Sequence, residues 1–387
     1  MKVDKGEAEG FAIPLLGSYL SGPERAYVSE ALTSLNNLSY GPHLGKLKGV
    51  LEELTGAHVS LVSSGTAGIH LALLALGVKA GDRVAVASHS FIASCSPVIQ
   101  IGAEPVFVDS DPVSWTLDPV LFEGWLREQK CEQSIPRALV VVDLFGNFPD
   151  FERLDKLCSE FNIPIIEDAA HALGGNYKGR PAGALGDLGI FSLNGNKIVT
   201  GATGGVVIAR EKRLIDRIDF LSGHCKTDTE NSLGEYVHAE VGFNYRLNNL
   251  SAALSLAQLT DLEERKERKR KIAERYRTAL EKMNGVENMP VTPGANHTFW
   301  LNCFRINPLE FGVEAATVVR SLRSQGIEAK LVWKPLHMQP AFSGCSSVGG
   351  SVSELLNRCG VCLPSSVGIT GREQDRVLSA IEALHVR

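Results

Sequence analysis

Two apolar runs, Ala138-Leu139-Val140-Val141-Val142-Asp143 and Ile163-Pro164-Ile165-Ile166-Glu167-Asp168, bracket a segment of helical spacing from Phe151 to Phe161. Each run is short, rich in β-branched residues and closed by a carboxylate, so the stretch is read as strand, helix, strand. Strands joined through a helix lie parallel. Runs that are apolar on both faces need cover on both sides. This one unit therefore points to an α/β domain with a mainly parallel sheet, whose ligands bind beyond the carboxyl ends of the strands.

Working outward, the alternation repeats. Upstream stand a strand at Val59–Val62, the small-residue turn Ser63-Ser64-Gly65-Thr66-Ala67-Gly68 and a helix from Ile69 to Leu76. A strand at Arg83–Ala87, the loop Ser88-His89-Ser90-Phe91, a short helix from Ile92 to Gly102, a strand at Pro105–Asp109 and a helix from Asp118 to Glu128 follow. Downstream, Val206–Arg210 closes the sheet. Helices are expected at Glu24–Leu35 and Leu44–Thr55, after an N-terminal arm of residues 1–20. Beyond the irregular stretch Leu221–Val241, apolar residues at helical spacing predict one long helix, Leu250 to Met283. It would cross into a smaller C-terminal domain with strands at Phe299–Ile306 and Lys330–Trp333 and helices at Val313–Gln325 and Arg372–Leu384. The expected division is residues 1–20, 21–250 and 251–387.

Composition narrows the functional class. A chain of 387 residues with 44% hydrophobic content can bury a large core, and a net charge of -5 offers no excess of positive charge for nucleic acid or an anionic membrane. The charge run Glu263 to Lys271 mixes signs and reads as a solvated helix face. Eight cysteines without framework spacing suit a reduced, cytoplasmic protein. Cys359 and Cys362 have metal or redox spacing, but no second pair or histidine cluster accompanies them, so no metal is expected. The polar start Met1–Gly10 does not resemble a signal peptide, and no apolar run approaches the ~18 residues of a membrane span.

Three features carry chemistry. The turn Ser64-Gly65-Thr66 lies between a strand and a helix, where free backbone N–H groups and the helix dipole attract phosphate, although such turns also serve as ordinary N-caps. Asp168 ends its strand; it suits either a helix cap or a partner for a ring nitrogen that must stay protonated. In Phe191-Ser192-Leu193-Asn194-Gly195-Asn196-Lys197-Ile198-Val199-Thr200, Lys197 has no charged neighbour for several residues on either side. It is either a plain loop lysine or an amine held for Schiff-base chemistry. Pyridoxal phosphate needs all three groups: an anion site, a carboxylate for its pyridinium and an amine. A nucleotide-binding or regulatory protein would use only the first, but the GxxxxGK[ST] and GxGxxG patterns are absent.

At this point the chain resembles the DegT/StrS group of pyridoxal-phosphate-dependent nucleotide-sugar aminotransferases. The resemblance spans nearly its whole length. It rests on Ser63-Ser64-Gly65-Thr66-Ala67, Glu167-Asp168-Ala169-Ala170-His171, Phe191 to Lys197, Gly242-Phe243-Asn244-Tyr245-Arg246 and Trp333-Lys334-Pro335-Leu336-His337-Met338-Gln339-Pro340. The resemblance implies fold type I, the aspartate-aminotransferase-like fold, with a large α/β domain and a smaller C-terminal α+β domain. It implies that Lys197 forms the Schiff base, Asp168 pairs with the pyridine nitrogen, His171 lies near the ring hydroxyl and Phe91 stacks on the ring. Gly65, Thr66 and Ser192 would hold the phosphate. Asn244 would reach the phosphate of a neighbouring subunit in a homodimer with shared sites. L-Glutamate would be the amino donor. The Trp333–Pro340 segment and the Asn194-Gly195-Asn196-Lys197 form of the lysine motif look like those of enzymes that aminate the 4-keto group of UDP-linked 2-acetamido-2,6-dideoxyhexoses, with Trp333, Lys334 and His337 as sugar-nucleotide contacts. Amination at C3, GDP- or dTDP-linked sugars and keto acids of higher sugars stay open. Two departures stand out: Asn36 to Tyr40 lacks the group's usual glycine-tryptophan, and Leu47-Lys48 replaces phenylalanine-glutamate.

Overall fold

The structure, a computed structural model, describes residues 10–33, 38–129, 135–227 and 235–385. Its centre is an eight-stranded sheet: β1 (His58–Val62), β2 (Arg83–Ala87), β3 (Glu104–Val108), β4 (Ala138–Val142), β5 (Ile165–Asp168), β6 (Leu188–Ser192), β7 (Gly205–Ala209) and β8 (Ser346–Val348). Their spatial order is β1-β7-β6-β5-β4-β2-β3-β8. The pairings from β6 to β8 are parallel, and only β7 runs antiparallel to its two neighbours. The expected fold class is the one observed.

The central strands are apolar throughout because helices cover both faces. Every residue of β4 is at most 2% exposed, and burying each such valine contributes roughly 1.5–3 kcal/mol. One core layer contains Val141, Phe151, Leu154 and Ile165; the opposite layer contains Val140, Ile166, Leu71 and Ile218. A second sheet, antiparallel, runs in the order Val286–Asn288, Asn302–Ile306, Gly360–Leu363, Lys330–Leu331 and forms the smaller body with the helices Ala315–Ser324 and Gly371–Glu382.

Four sequence expectations need correction. The single helix over Leu250–Met283 is two helices, Asn249–Leu259 and Leu262–Leu280. They part at Thr260, whose hydroxyl bonds back to the Ala257 carbonyl at 2.6 Å, and Asp261, which flanks the second helix with φ −109°. Such short polar side chains compete with the helical ladder. The charge run is not wholly solvated either: Arg265 is 2% exposed and Lys269 1%, on the same face as Ile272 and Tyr276. Arg265 is paired inside with Glu24 at 3.1 Å, and Lys269 is held by backbone carbonyls.

The third and fourth corrections concern the borders of the two bodies. Ser346–Val348 comes from the stretch expected to build the small domain, yet it extends the large sheet alongside β3. Asp109, just after β3, accepts from the N–H groups of Gly350 (2.7 Å), Val352 (3.0 Å) and Ser353 (2.9 Å), and so caps the helix Ser351–Cys359 that follows. Within the arm, Ile13 bridges to Ile327 and packs in the small core. Cys362 faces Cys303 across the small sheet with sulfurs 3.4 Å apart, whereas Cys131 and the departure at Asn36-Asn37 lie outside the described residues.

Candidate active site

Beyond the carboxyl ends of β5 and β6, a cavity of ≈ 280 Å³ opens between the large sheet and the segments around residues 300 and 333. Its walls include Ser64, Gly65, Thr66, Phe91, Ser94, Asp168, His171, Ser192, Lys197, Trp300 and Trp333. Ser64, Gly65, Thr66, Phe91, Asp168, His171, Ser192, Lys197 and Trp333, all singled out from sequence, therefore share one space.

The anion turn is built by close approach. Ser64 caps the helix Gly65–Ala75, its hydroxyl accepting from the Ala67 N–H at 3.0 Å. The N–H groups of Gly65 and Thr66 then have no acceptor within the helix. The turn lies so close to β7 that a Cβ on Gly205 would stand 2.4 Å from the Ser64 carbonyl carbon. A Cβ on Gly65 would stand 3.3 Å from that of Ser192, which puts the turn against the end of β6. Glycine is therefore required at position 205, and the approach at Gly65 is tight.

Asp168 is 6% exposed at the end of β5. Its Oδ2 accepts from the Ser94 hydroxyl at 2.6 Å, and its Oδ1 from the Ala170 N–H at 3.2 Å. Burial pushes the carboxyl above its ordinary range, while Ser94, the Lys197 charge and Ala170 pull it back. Lys197 sits on a loop pinned at both ends. Gly201 donates to the Leu193 carbonyl at 2.9 Å, Thr200 to Gln258 Oε1 at 2.9 Å and Ser18 to the Gly195 carbonyl at 2.5 Å. Burial lowers the amine to about 8, with Asp168 opposing. An amine so lowered is a usable nucleophile close to neutrality.

His171 is 5% exposed and lies flat on the Trp300 indole, ring centres 4.0 Å apart at 7°. Burial, with the Lys197 charge, lowers it well below its ordinary value, so the ring is neutral. Its Nδ1 is buried without a hydrogen-bond partner among the described residues. Phe91 is 56% exposed at the cavity mouth, tilted against Trp333 with centres 5.7 Å apart.

Three sequence candidates do not line the cavity. Asn244 is exposed, its backbone bridged to Gly223. Lys334 is exposed next to Trp333. His337 points away into the structure, with Nδ1 2.6 Å from the Ser88 hydroxyl and Nε2 3.2 Å from Glu354. Conversely, Ser94 and Trp300 were missed. Ser94 lay inside a segment read only as a short helix. Trp300 carried a faint signal, since a buried indole N–H needs an acceptor; here it is the Asn196 carbonyl at 2.9 Å.

The cavity fits pyridoxal phosphate on its own chemistry: N–H donors at a helix start that have no acceptor within the helix, a buried carboxylate and a desolvated amine share one space. The comparisons agree. The profile of the DegT/DnrJ/EryC1/StrS aminotransferase family matches residues 20–382. The chain is 38% identical over 368 residues to EpsN of Bacillus subtilis, named as a pyridoxal phosphate-dependent aminotransferase, covering 94% of this chain and 93% of that one. It is 31% identical over 369 residues to a GDP-perosamine synthase of Caulobacter vibrioides, covering 95% and 96%. Among solved structures, a DegT DnrJ EryC1 StrS aminotransferase from Brucella abortus superposes with a TM-score of 0.86 at 28% identity, covering 94% of this chain and 95% of that one.

Proposed function

Given that the chain belongs to the DegT/DnrJ/EryC1/StrS aminotransferase family and is a pyridoxal-phosphate-dependent transaminase, we propose that it moves the amino group of L-glutamate onto the 4-keto carbon of a UDP-linked 2-acetamido-2,6-dideoxyhexose. The product is an amino sugar for a surface polysaccharide or glycan. The observation that carries the reading is the meeting of Lys197, Asp168 and the Ser64-Gly65-Thr66 turn in one cavity.

In this reading Gly65, Thr66 and Ser192 bind the cofactor phosphate, Phe91 covers the ring and His171 stands by its hydroxyl. Asp168 holds a proton on the pyridine nitrogen, and Ser94 keeps that carboxylate oriented. When bound, the group supplies an electron-accepting ring that stabilises charge on a carbon losing its proton. Lys197 Nζ takes the proton from the α-carbon of glutamate and later gives one to C4 of the sugar. A general base so placed contributes typically ~10²–10⁴-fold. Trp333, on the cavity wall, and the exposed Lys334 receive the sugar nucleotide, and His337 anchors their segment to Ser88 and Glu354.

Asn244, exposed on its segment, completes the phosphate site of a second copy, which makes the enzyme a homodimer with shared sites. It works in the cytoplasm, a place in keeping with seven described cysteines that are all free. A GDP-linked keto-sugar is the second reading, favoured by the similarity to GDP-perosamine synthases of Caulobacter vibrioides and, at 32% identity, Escherichia coli O157:H7. Supplying a panel of UDP-, GDP- and dTDP-linked keto-sugars with glutamate and following 2-oxoglutarate release separates them. Lys197→Ala must abolish turnover and replace the absorbance band of the lysine-linked cofactor by that of the unlinked aldehyde; retention of turnover and of the linked band ends the assignment.

A further inference from the structure

Trp300 grips two consecutive residues of the lysine loop. Its Nε1 donates to the Asn196 carbonyl at 2.9 Å, and its ring centre lies 4.4 Å from Lys197 Nζ. The chain bends sharply to deliver it. Phe299, just before, has φ +50°, a left-handed conformation that a phenylalanine rarely takes. That bend is held by His297 Nδ1, which accepts from the Phe299 N–H at 2.7 Å, and by Thr298, whose hydroxyl donates to the His171 carbonyl at 2.6 Å.

Behind the indole lies a second lysine, this one fully buried. Lys269 Nζ donates to the Trp300 carbonyl at 2.7 Å and to the Ser365 carbonyl, and no carboxylate lies within ion-pair distance of it among the described residues. A cation buried on carbonyls alone is costly, and an apolar side chain would fill the same space. Burial accordingly lowers the amine to about 7, and its N–H groups give those two carbonyls a fixed point.

We infer that Trp300 is a positioning residue for the Lys197 amine and that Lys269, through the Trp300 carbonyl, fixes the indole in place. The inference rests on Lys197 being the reactive amine. The ring face attracts the ammonium form and holds it against the cavity wall, while the Nε1 bond fixes the turn that carries it. The turn and the amine are therefore gripped by one side chain whose own backbone is anchored from a different helix.

The test uses the full-length chain, freed of cofactor for the modification and loaded with it for the kinetics. Reductive methylation of residue 197 with formaldehyde and cyanoborohydride is followed against pH by mass spectrometry of the peptide that carries it. Trp300→Leu removes the ring face; it should lower the pH midpoint by roughly one unit, so that modification at pH 7 becomes about tenfold faster. Trp300→Phe keeps the face and loses only the donor. It should hold the midpoint while kcat for the glutamate half-reaction falls about tenfold with little change in KM. Lys269→Met should move the midpoint in the direction of Trp300→Leu; if that variant fails to fold, the two Trp300 variants decide. A midpoint in Trp300→Leu within a few tenths of the unaltered chain overturns the role of the indole, and an unmoved midpoint in folded Lys269→Met overturns that of the anchor. Should Lys197→Ala keep the absorbance band of the lysine-linked cofactor, the reading of the site itself fails, whatever the Trp300 variants do.

Discussion

Ser94 donates a 2.6 Å hydrogen bond to Oδ2 of Asp168, and its own oxygen lies 2.5 Å from that of Ser90. The carboxylate at the end of β5 is thus held by a two-hydroxyl chain from the loop after β2. Without it, burial would push the Asp168 carboxyl further up and leave less of the charged form. Bonds to charged groups contribute about 1.5–3 kcal/mol, so Ser94→Ala should lower kcat of the glutamate half-reaction roughly tenfold to a hundredfold, with Asp168→Asn more severe. Stopped-flow absorbance of the loaded enzyme measures both; a Ser94→Ala rate equal to that of the unaltered enzyme would remove the hydroxyl from the mechanism.

Cofactor loading should follow the state of the Lys197 amine. Burial holds it at about 8, and only the neutral form attacks a carbonyl. Mixing the cofactor-free chain with pyridoxal phosphate should give a rate that climbs about tenfold per pH unit below 8 and levels off above it. A rate still climbing steeply at pH 10 would mean an ordinary exposed lysine.

Stability should respond to acid through Glu24. Burial by itself would raise this carboxyl, but the N–H groups of Glu24, Gly22 and Ser21 and the Gln258 amide outweigh it and hold it at about 2, below the ordinary 4.5. Since the folded value is the lower one, the stabilisation is complete above about pH 4.5 and is lost as pH falls towards 2. Glu24→Gln leaves Arg265 buried without its counter-charge, at a cost of about 3–5 kcal/mol near neutrality. Urea midpoints of the two chains should differ most at pH 7 and converge on acidification.

The His337 anchor predicts a split in the kinetics. Removing it in His337→Ala frees the Trp333–Pro340 segment from Ser88 and Glu354. The KM for the keto-sugar should rise about tenfold, well beyond any change in the KM for glutamate. Equal changes in the two constants would argue that the histidine serves folding alone.

How much of this could be read from the chain depends on how far apart the partners lie. Gly65, Asp168 and Lys197 each end or interrupt a local pattern, so periodicity exposes them, and the parallel sheet gathers them without further instruction. Ser94 and Trp300 matter through partners 74 and 104 positions away, which leave no trace in local spacing. Lys269 was hidden for a different reason. Its neighbours Glu267, Arg268, Arg270 and Lys271 pair along the exposed helix surface, and a window over the run averages the buried cation away. The 346–348 strand is three residues long, too short to rise above the turn formers around it.

That late strand has a bearing on biogenesis. The outer rim of β3 has its hydrogen-bonding partner 240 positions downstream, at the Val106 to Ser346 pairing, and the Asp109 cap needs residues 350–353 as well. While the protein is still emerging from a ribosome, this rim is a bare template open to foreign strands. Completion of the large domain is thereby postponed until residues 346–353 have been made. A nascent chain stalled before residue 346 should be markedly more prone to clump than one released whole.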